Sequence, residues 1–333
     1  MKFYKSTTLT FKDAHVLGGY TVAGPKENAG KYHGKFDLAL QDDMFGQKTF
    51  ERAERKMFEH AMDGALAKCN LGHDELDLIC GGDLLNQIIS TSFSAKKYHC
   101  GFLGLYNACA TFVESLIVGA SMLNNGLNNV LCVAGSHFST AERQYRYPLE
   151  LGVLRSPVTQ WTATGVGATV LANQAHKPVP KVVSATIGRV LDYGILDLNN
   201  MGAAMAPSAC DTLLKHFANT NTKPTDYDAI YTGDLGKLGK EILLDLLLQD
   251  GFDASKVLHD CGASLFFEEQ QTYQGASGAA CTALVFNCHL LHKLAVGKYK
   301  RILLAGTGAL MSPTSSFQGD SIPAITHVVE VQA

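Results

Sequence analysis

The stretch Asp77-Leu-Ile-Cys-Gly-Gly-Asp83-Leu84 returns later in the chain as Asp228-Ala-Ile-Tyr-Thr-Gly-Asp234-Leu235. Each copy is followed by a second related pair, Asn107-Ala-Cys109-Ala-Thr111 and Gly278-Ala-Ala280-Cys-Thr282, and then by a third, Leu131-Cys-Val-Ala-Gly135 and Ile302-Leu-Leu-Ala-Gly306. Self-similarity on this scale marks a duplicated architectural unit. Both copies run from apolar strand to helix to apolar strand, the order of a mostly parallel α/β sheet. Cys109 aligns with Ala280, so the halves share a scaffold and differ in chemistry.

Of 333 residues 46% are apolar, enough to bury a large core, and no Pro/Ser-rich linker separates the halves. We therefore expect one fused body, divided near 1–175 and 176–333. A net charge of -3 gives no basic footprint and argues against nucleic acid as a partner. Nine scattered cysteines without a CxxC pair read as reduced thiols of a cytosolic compartment. Met1 to Thr10 lacks the apolar core of a signal peptide, and the most apolar helical run, Cys109 to Leu123, is interrupted by Glu114 and too short to span a bilayer. Membrane association is thus expected to be peripheral.

Helical spacing of Phe50, Ala53, Met57, Ala61 and Leu66 predicts a helix over 50–69. Strands are expected at 76–80, 102–106 and 130–134, with a helix starting at Cys109. In the second half, helices are expected over 211–218, 240–249 and 279–294, and a strand over 229–232. Gly165 opens a strand that closes the first half. Helices must cover two sheets, so a layered α/β/α/β/α body is the economical answer.

Cys109 opens a helix, where unpaired N–H groups and the helix dipole favour a thiolate or an anion; its alternative is a small buried hydrophobe. Asp83 and Asp234 end strands at their carboxyl side, where ligands of open α/β sheets collect, or else each caps the next segment of chain. His137 is either an acid, base or donor, or a satisfied interior histidine. Gly306 and Gly308 lie in a glycine-rich strand end from which backbone N–H groups can reach a ligand. Arg143, Arg146 and Arg189 are the candidate carboxylate-holding cations. Cys288, His289 and His292 lack a fourth ligand and lie in an apolar helical pattern, so no metal site is expected.

The duplicated halves, the Cys opening the long helix of the first and Gly275-Ala-Ser277-Gly278-Ala279 in the second resemble the thiolase and ketoacyl synthase superfamily. A closer likeness covers nearly the whole chain. Ala23-Gly-Pro-Lys-Glu27, Gly82-Asp-Leu-Leu-Asn-Gln87, the run from Thr140 to Pro148, the run from Met201 to Pro207, Asp260-Cys-Gly262 and Ser312-Pro-Thr314 together resemble the stage V sporulation protein AD family of endospore-forming bacteria.

That resemblance implies a thiolase-like five-layer fold, a homodimer, no cofactor, and binding of dipicolinic acid, free or as its calcium chelate. It further implies a place beside the other components of a spore membrane channel, on the cytoplasmic side of the forespore and peripheral to the inner membrane. Departures from the working enzymes bear on the chemistry. The thiolase histidine position holds Thr272, the ketoacyl synthase histidine is missing near Thr232, Ala276 stands in place of its asparagine, and the second thiolase cysteine is Ala305 or its neighbour. Cys109 is retained without the partners of a Claisen condensation. The leading expectation is a non-catalytic dipicolinate-binding protein. Its rivals are an acyltransferase using Cys109 with His137 or Asp234, and a purely structural subunit.

Overall fold

The computed structural model describes residues 6–145 and 155–333. Ten strands carry the architecture. In the first half these are β1 (His15–Ala23), β2 (Leu78–Gly82), β3 (Gly101–Gly104), β4 (Asn129–Ser136) and β5 (Gly165–Ala172). The second half supplies β6 (Lys181–Thr186), β7 (Ala229–Thr232), β8 (Leu258–Asp260), β9 (Arg301–Ala309) and β10 (Ala324–Gln332). The first set is ordered β3-β2-β4-β5-β1 and the second β8-β7-β9-β10-β6, the same permutation twice. A single antiparallel pair, His15 with Lys181, joins the two.

The helices fall into three layers. α1 (Phe50–Lys68) and α2 (Ile89–Ala95) cover the outside of the first sheet. α3 (Thr111–Asn124) and α4 (Phe138–Tyr145) follow β3 and β4. α5 (Met201–Thr220) and α6 (Gly236–Gln249) cover the outside of the second sheet. α7 (Ala279–Val285) continues through a π-helical turn, Phe286–Leu290, into Leu291–Ala295. α3 and α7 form the middle layer, and α3 touches strands of both sheets. Strand alternation explains the layering: Val130, Cys132 and Ala134 of β4 face the middle core, whereas Leu131 and Val133 face α1. Likewise Ile302 and Leu304 of β9 face the middle, and Leu303 and Ala305 face α5.

Several expectations are corrected. β2 and β3 lie one or two residues from the expected spans. The helix expected over 211–218 begins ten residues earlier, at Met201, despite Pro207; burial of most of its faces outweighs the backbone bond the proline removes. The last motif pair aligns one residue differently. Asp77 accepts from the N–H groups of Asn128 and Asn129, and Asp228 accepts from those of Lys300 and Arg301. Val130, not Leu131, is therefore the structural counterpart of Ile302, and Gly306 matches Ala134.

Candidate functional site

Cys109 sits in a 3-10 turn, Ala108–Ala110, that runs directly into α3. The turn is set by Thr111, whose hydroxyl accepts from Asn107 N–H at 3.1 Å and donates to Ala108 C=O at 2.8 Å. Ala108 is held at φ 50°, a left-handed conformation that costs a non-glycine residue about 1–2 kcal/mol. Beside it the Asn107 amide and His327 Nε2 are 2.9 Å apart, and His327 Nδ1 accepts from Gly188 N–H at 3.2 Å. Burial pushes the His327 imidazole down to about 4, so this support is neutral at pH 7.

The side chain of Cys109 lies against the carboxyl of Asp234, which follows β7, and favours its charged form. That carboxyl is fully buried. Its Oδ1 accepts from the Thr307 hydroxyl at 2.8 Å and its Oδ2 from Gly278 N–H at 3.0 Å, while Thr307 Oγ1 accepts from the Asp234 N–H at 3.0 Å. Desolvation outweighs these bonds and pushes Asp234 up to about 7. Gly278 is required where it stands: its φ is 99°, and a Cβ there would lie 2.8 Å from Ser136 Oγ. The ketoacyl synthase histidine belongs near the end of this strand, and here Asp234 faces the thiol instead.

Cys109 opens onto a cavity of about 510 Å³. Tyr106, Tyr145, Asn86 and Gln144 form one side, Thr162, Ser277 and Gly278 another, and Met201 with the run from Ala309 to Thr314 the third. The two tyrosine hydroxyls are 2.6 Å apart, and Tyr145 donates onward to Leu84 C=O. Gln144 ties the same loop down, donating to Leu84 C=O at 2.9 Å and accepting from Asn86 N–H at 3.1 Å. Among the described residues the lining holds no acidic, basic or histidine side chain.

Of the described residues singled out from sequence, the structure brings Cys109 and Asp234 together, sets Gly306 and Gly308 beside the Cys109 turn, and keeps Asp83, His137, Arg143 and Arg189 out of the cavity lining. Asp83 is buried and spends its carboxylate on Leu85 N–H and on the N–H and hydroxyl of Thr91, which pins the loop before α2. This is the capping role. His137 is an interior histidine: Nδ1 accepts from Ser139 N–H, so Nε2 carries the proton and donates to Asp43 C=O at 2.9 Å. Gly306 and Gly308 lie in the carboxyl-terminal part of β9, paired with His327 and Ile325 of β10. They admit close neighbours, since a Cβ on Gly308 would lie 2.9 Å from Asn107 C=O and one on Gly306 would lie 2.6 Å from Val113. Arg143 pairs with Glu51 on the surface, and Arg189 with Asp211 at 2.8 Å. Neither arginine lines the cavity, and Arg146 lies outside the described residues. Cys288 is buried and His289 packs on the Tyr32 ring.

The cavity wall that sequence reasoning missed consists of Asn86, Tyr106, Gln144, Tyr145, Thr162, Ser277 and the run after Ala309. Asn86, Gln144, Tyr145, Ser277, Ser312 and Thr314 lie inside the motifs that carried the family resemblance, but neutral polar residues have no spacing rule that marks them as a cavity wall.

Two matching sheets sandwiching α3 and α7, with a cysteine at the mouth of α3, define a thiolase-fold protein. The fold likeness extends across the chain. OleA of Xanthomonas campestris superposes with a TM-score of 0.61 at 17% identity, covering 98% of this chain and 99% of the other. AbyA1, a tetronic acid condensing enzyme, superposes at 0.60 and 15% identity, covering 96% and 100%. Within that class the sequence is more specific. The profile of the stage V sporulation protein AD family matches residues 5–332. Stage V sporulation protein AD of Bacillus subtilis (strain 168) is 40% identical over 310 residues, covering 93% of this chain and 91% of that protein. The chain belongs to the stage V sporulation protein AD family.

Proposed function

We propose that this protein is a non-catalytic member of the thiolase fold that holds dipicolinate in the cavity at Cys109 and serves a membrane transport complex of the forming spore. The observation that carries the reading is the pairing of the Cys109 thiol with the Asp234 carboxyl where a condensing enzyme presents an imidazole. A thiol so placed contacts a ligand but has no histidine to complete a condensation. Aromatic faces from Tyr106 and Tyr145, amides from Asn86 and Gln144 and hydroxyls from Thr162, Ser277, Ser312 and Thr314 suit a planar ring bearing oxygen acceptors.

The neutral donors of the described lining can meet the carboxylate oxygens of the free ligand or of its calcium chelate. Asp83 and Asp234 do not bridge that calcium, since both carboxylates are already bonded inside the protein. Trp161 is the single tryptophan, stacked 3.8 Å from Phe138 and adjacent to Thr162 in the cavity wall, so its emission reports occupancy. Dipicolinate should be titrated by calorimetry and by Trp161 fluorescence, with calcium and with a chelator. Saturable binding weakened moderately by Cys109→Ser supports the reading, and no heat under either condition removes it.

Homodimer formation is part of the same proposal. All four residues of the edge strand β3 are exposed, including Phe102 and Leu103, with Ile89, Phe93 and Tyr106 also exposed among the segments flanking it. The matching edge strand of the other half, β8, buries Leu258 and Asp260. An edge strand with exposed apolar side chains in only one of the two duplicated halves suits pairing with a second copy.

A second reading, acyl transfer from a thioester to Cys109, is favoured by one observation: a carboxyl near 7 in contact with the thiol is matched to take its proton at neutral pH. Intact mass after incubation with acyl-CoA thioesters tests it. Turnover rather than a static adduct would favour the enzyme.

A further inference from the structure

Between β6 and α5 the chain runs through 187–200 without a helix, and it exposes large apolar side chains there: Val190 at 54%, Tyr193 at 62% and Leu196 at 64%. Phe317, at the end of a short turn after β9, is 78% exposed. These segments are built against each other. Leu191 and Ala324 exchange both backbone bonds, Ile322 N–H donates to Ile195 C=O at 2.8 Å, and the Ser321 hydroxyl donates to the Asp192 carboxylate at 2.6 Å. Ile195, Leu198 and Met311 turn inward onto the core beneath α5. The backbone is thus anchored while Val190, Tyr193, Leu196 and Phe317 are held out, an arrangement that leaves apolar area in water without an internal reason.

Apart from Arg189, the charged residues carried on these two segments are acidic. Asp192 and Asp197 lie on the first segment and Asp320 on the second. Bonds from Ser321 and Gly194 hold Asp192 below the usual carboxylate range. Arg189, on the first segment, is engaged by Asp211. An acid-rimmed apolar surface repels an anionic bilayer and attracts a chain with apolar residues flanked by lysine or arginine. Continuity with the cavity gives the surface a use. The first segment leads into Met201 and the second leaves from Leu310 to Thr314, all of which line the cavity.

We propose that Val190, Tyr193, Leu196 and Phe317, rimmed by Asp192, Asp197 and Asp320, form the docking surface for a basic amphipathic helix of a partner protein, placed so that docking bears on the wall of the cargo cavity. The link to cargo rests on the cavity reading above, whereas the docking itself does not.

The probe is a fluorescein-labelled synthetic helix with a leucine face and lysine flanks, compared with the same peptide carrying glutamate flanks, by anisotropy against the full chain. The lysine peptide should bind and the glutamate peptide should not. The double variant Tyr193→Ser/Phe317→Ser should weaken binding by about tenfold or more, as loss of central apolar anchors does. Asp192→Asn/Asp320→Asn should weaken it by about threefold and flatten its salt dependence. Equal binding of both peptides, or lysine-peptide binding that neither variant changes, overturns the proposal. Sedimentation with phosphatidylglycerol vesicles forms a third arm: binding lost in the Tyr193/Phe317 variant would assign the surface to lipid and overturn it too. Dipicolinate titration of the same variants keeps the two ideas apart, because failure of wild-type cargo binding with intact peptide docking removes only the cargo reading.

Discussion

Replacing Asp234 by Asn tests the buried carboxyl that separates this site from a condensing enzyme. Folding moves Asp234 from an ordinary 3.8 up to about 7, and the cause is desolvation. Between these values the native state binds a proton that the unfolded chain has released, so stability falls as pH rises. The contribution is fully present below about 3.8, declines through the interval and is lost above about 7. A shift of that size corresponds to about 4 kcal/mol at 1.36 kcal/mol per unit. Asn keeps one acceptor for Gly278 N–H and turns its NH2 toward Thr307 Oγ1. The variant should therefore fold and lose only this part of the pH dependence. Glu27 and Asp260 are also buried and raised, to about 7 and about 6, so the informative quantity is the difference between wild type and variant. Urea unfolding at half-unit steps from pH 4 to 8 should show the variant gaining about 4 kcal/mol on the wild type as pH rises. Site-resolved alkylation of Cys109 provides a second reading. An ionised Asp234 beside the thiol opposes thiolate formation, so above pH 7 the variant should react faster. Parallel stability curves together with equal alkylation rates would refute the account of a desolvated carboxyl at the thiol.

Phe112 of α3 packs with its ring centroid 5.5 Å from that of Phe286 in the layer shared by both sheets, and Phe112→Ala should cost about 3–5 kcal/mol in urea while unfolding remains a single transition. If only one of two resolved transitions moved, the common core would be wrong. Gly308→Val drives a branched side chain toward Asn107 C=O and should weaken dipicolinate binding by displacing the Cys109 turn, at about 1–3 kcal/mol of stability by calorimetry. Arg143→Ala and Arg189→Ala should leave dipicolinate affinity within about twofold, since both guanidiniums are engaged on the surface. Leu103→Lys on the open edge of β3 should convert a dimer into a monomer on size exclusion, and an unchanged elution volume would place any dimer contact elsewhere.

The layered architecture was legible because duplication repeats local information. Asp77 and Asp228 recur with the strands they precede, and each collects the two N–H groups at the start of the neighbouring strand. Apolar alternation along β4 and β9 then requires a layer on either side of each sheet. Periodicity likewise foretold α1, whose Ala53, Met57, Ala61 and Leu66 are all buried. Ends of elements were less legible where tertiary burial overrode a local signal, as at Pro207 in α5. The one-residue slip between Leu131 and Ile302 arose because matching glycines, Gly135 and Gly306, point to opposite sides of their sheets.

For the site, sequence alone determined that Cys109 opens a helix in one half and Ala280 does so in the other, because the motif and its repeat contain that difference. It could not determine which of two similarly placed aspartates meets the thiol. Asp83 and Asp234 end equivalent strands, yet Asp83 closes onto Thr91 of its own half while Asp234 reaches Gly278, Thr307 and Cys109. Only the packing of α3 against strands of the opposite half brings Cys109 to Asp234, and only the resulting desolvation lifts that carboxyl to about 7. Both are contacts between residues far apart in the chain, and no local pattern encodes them.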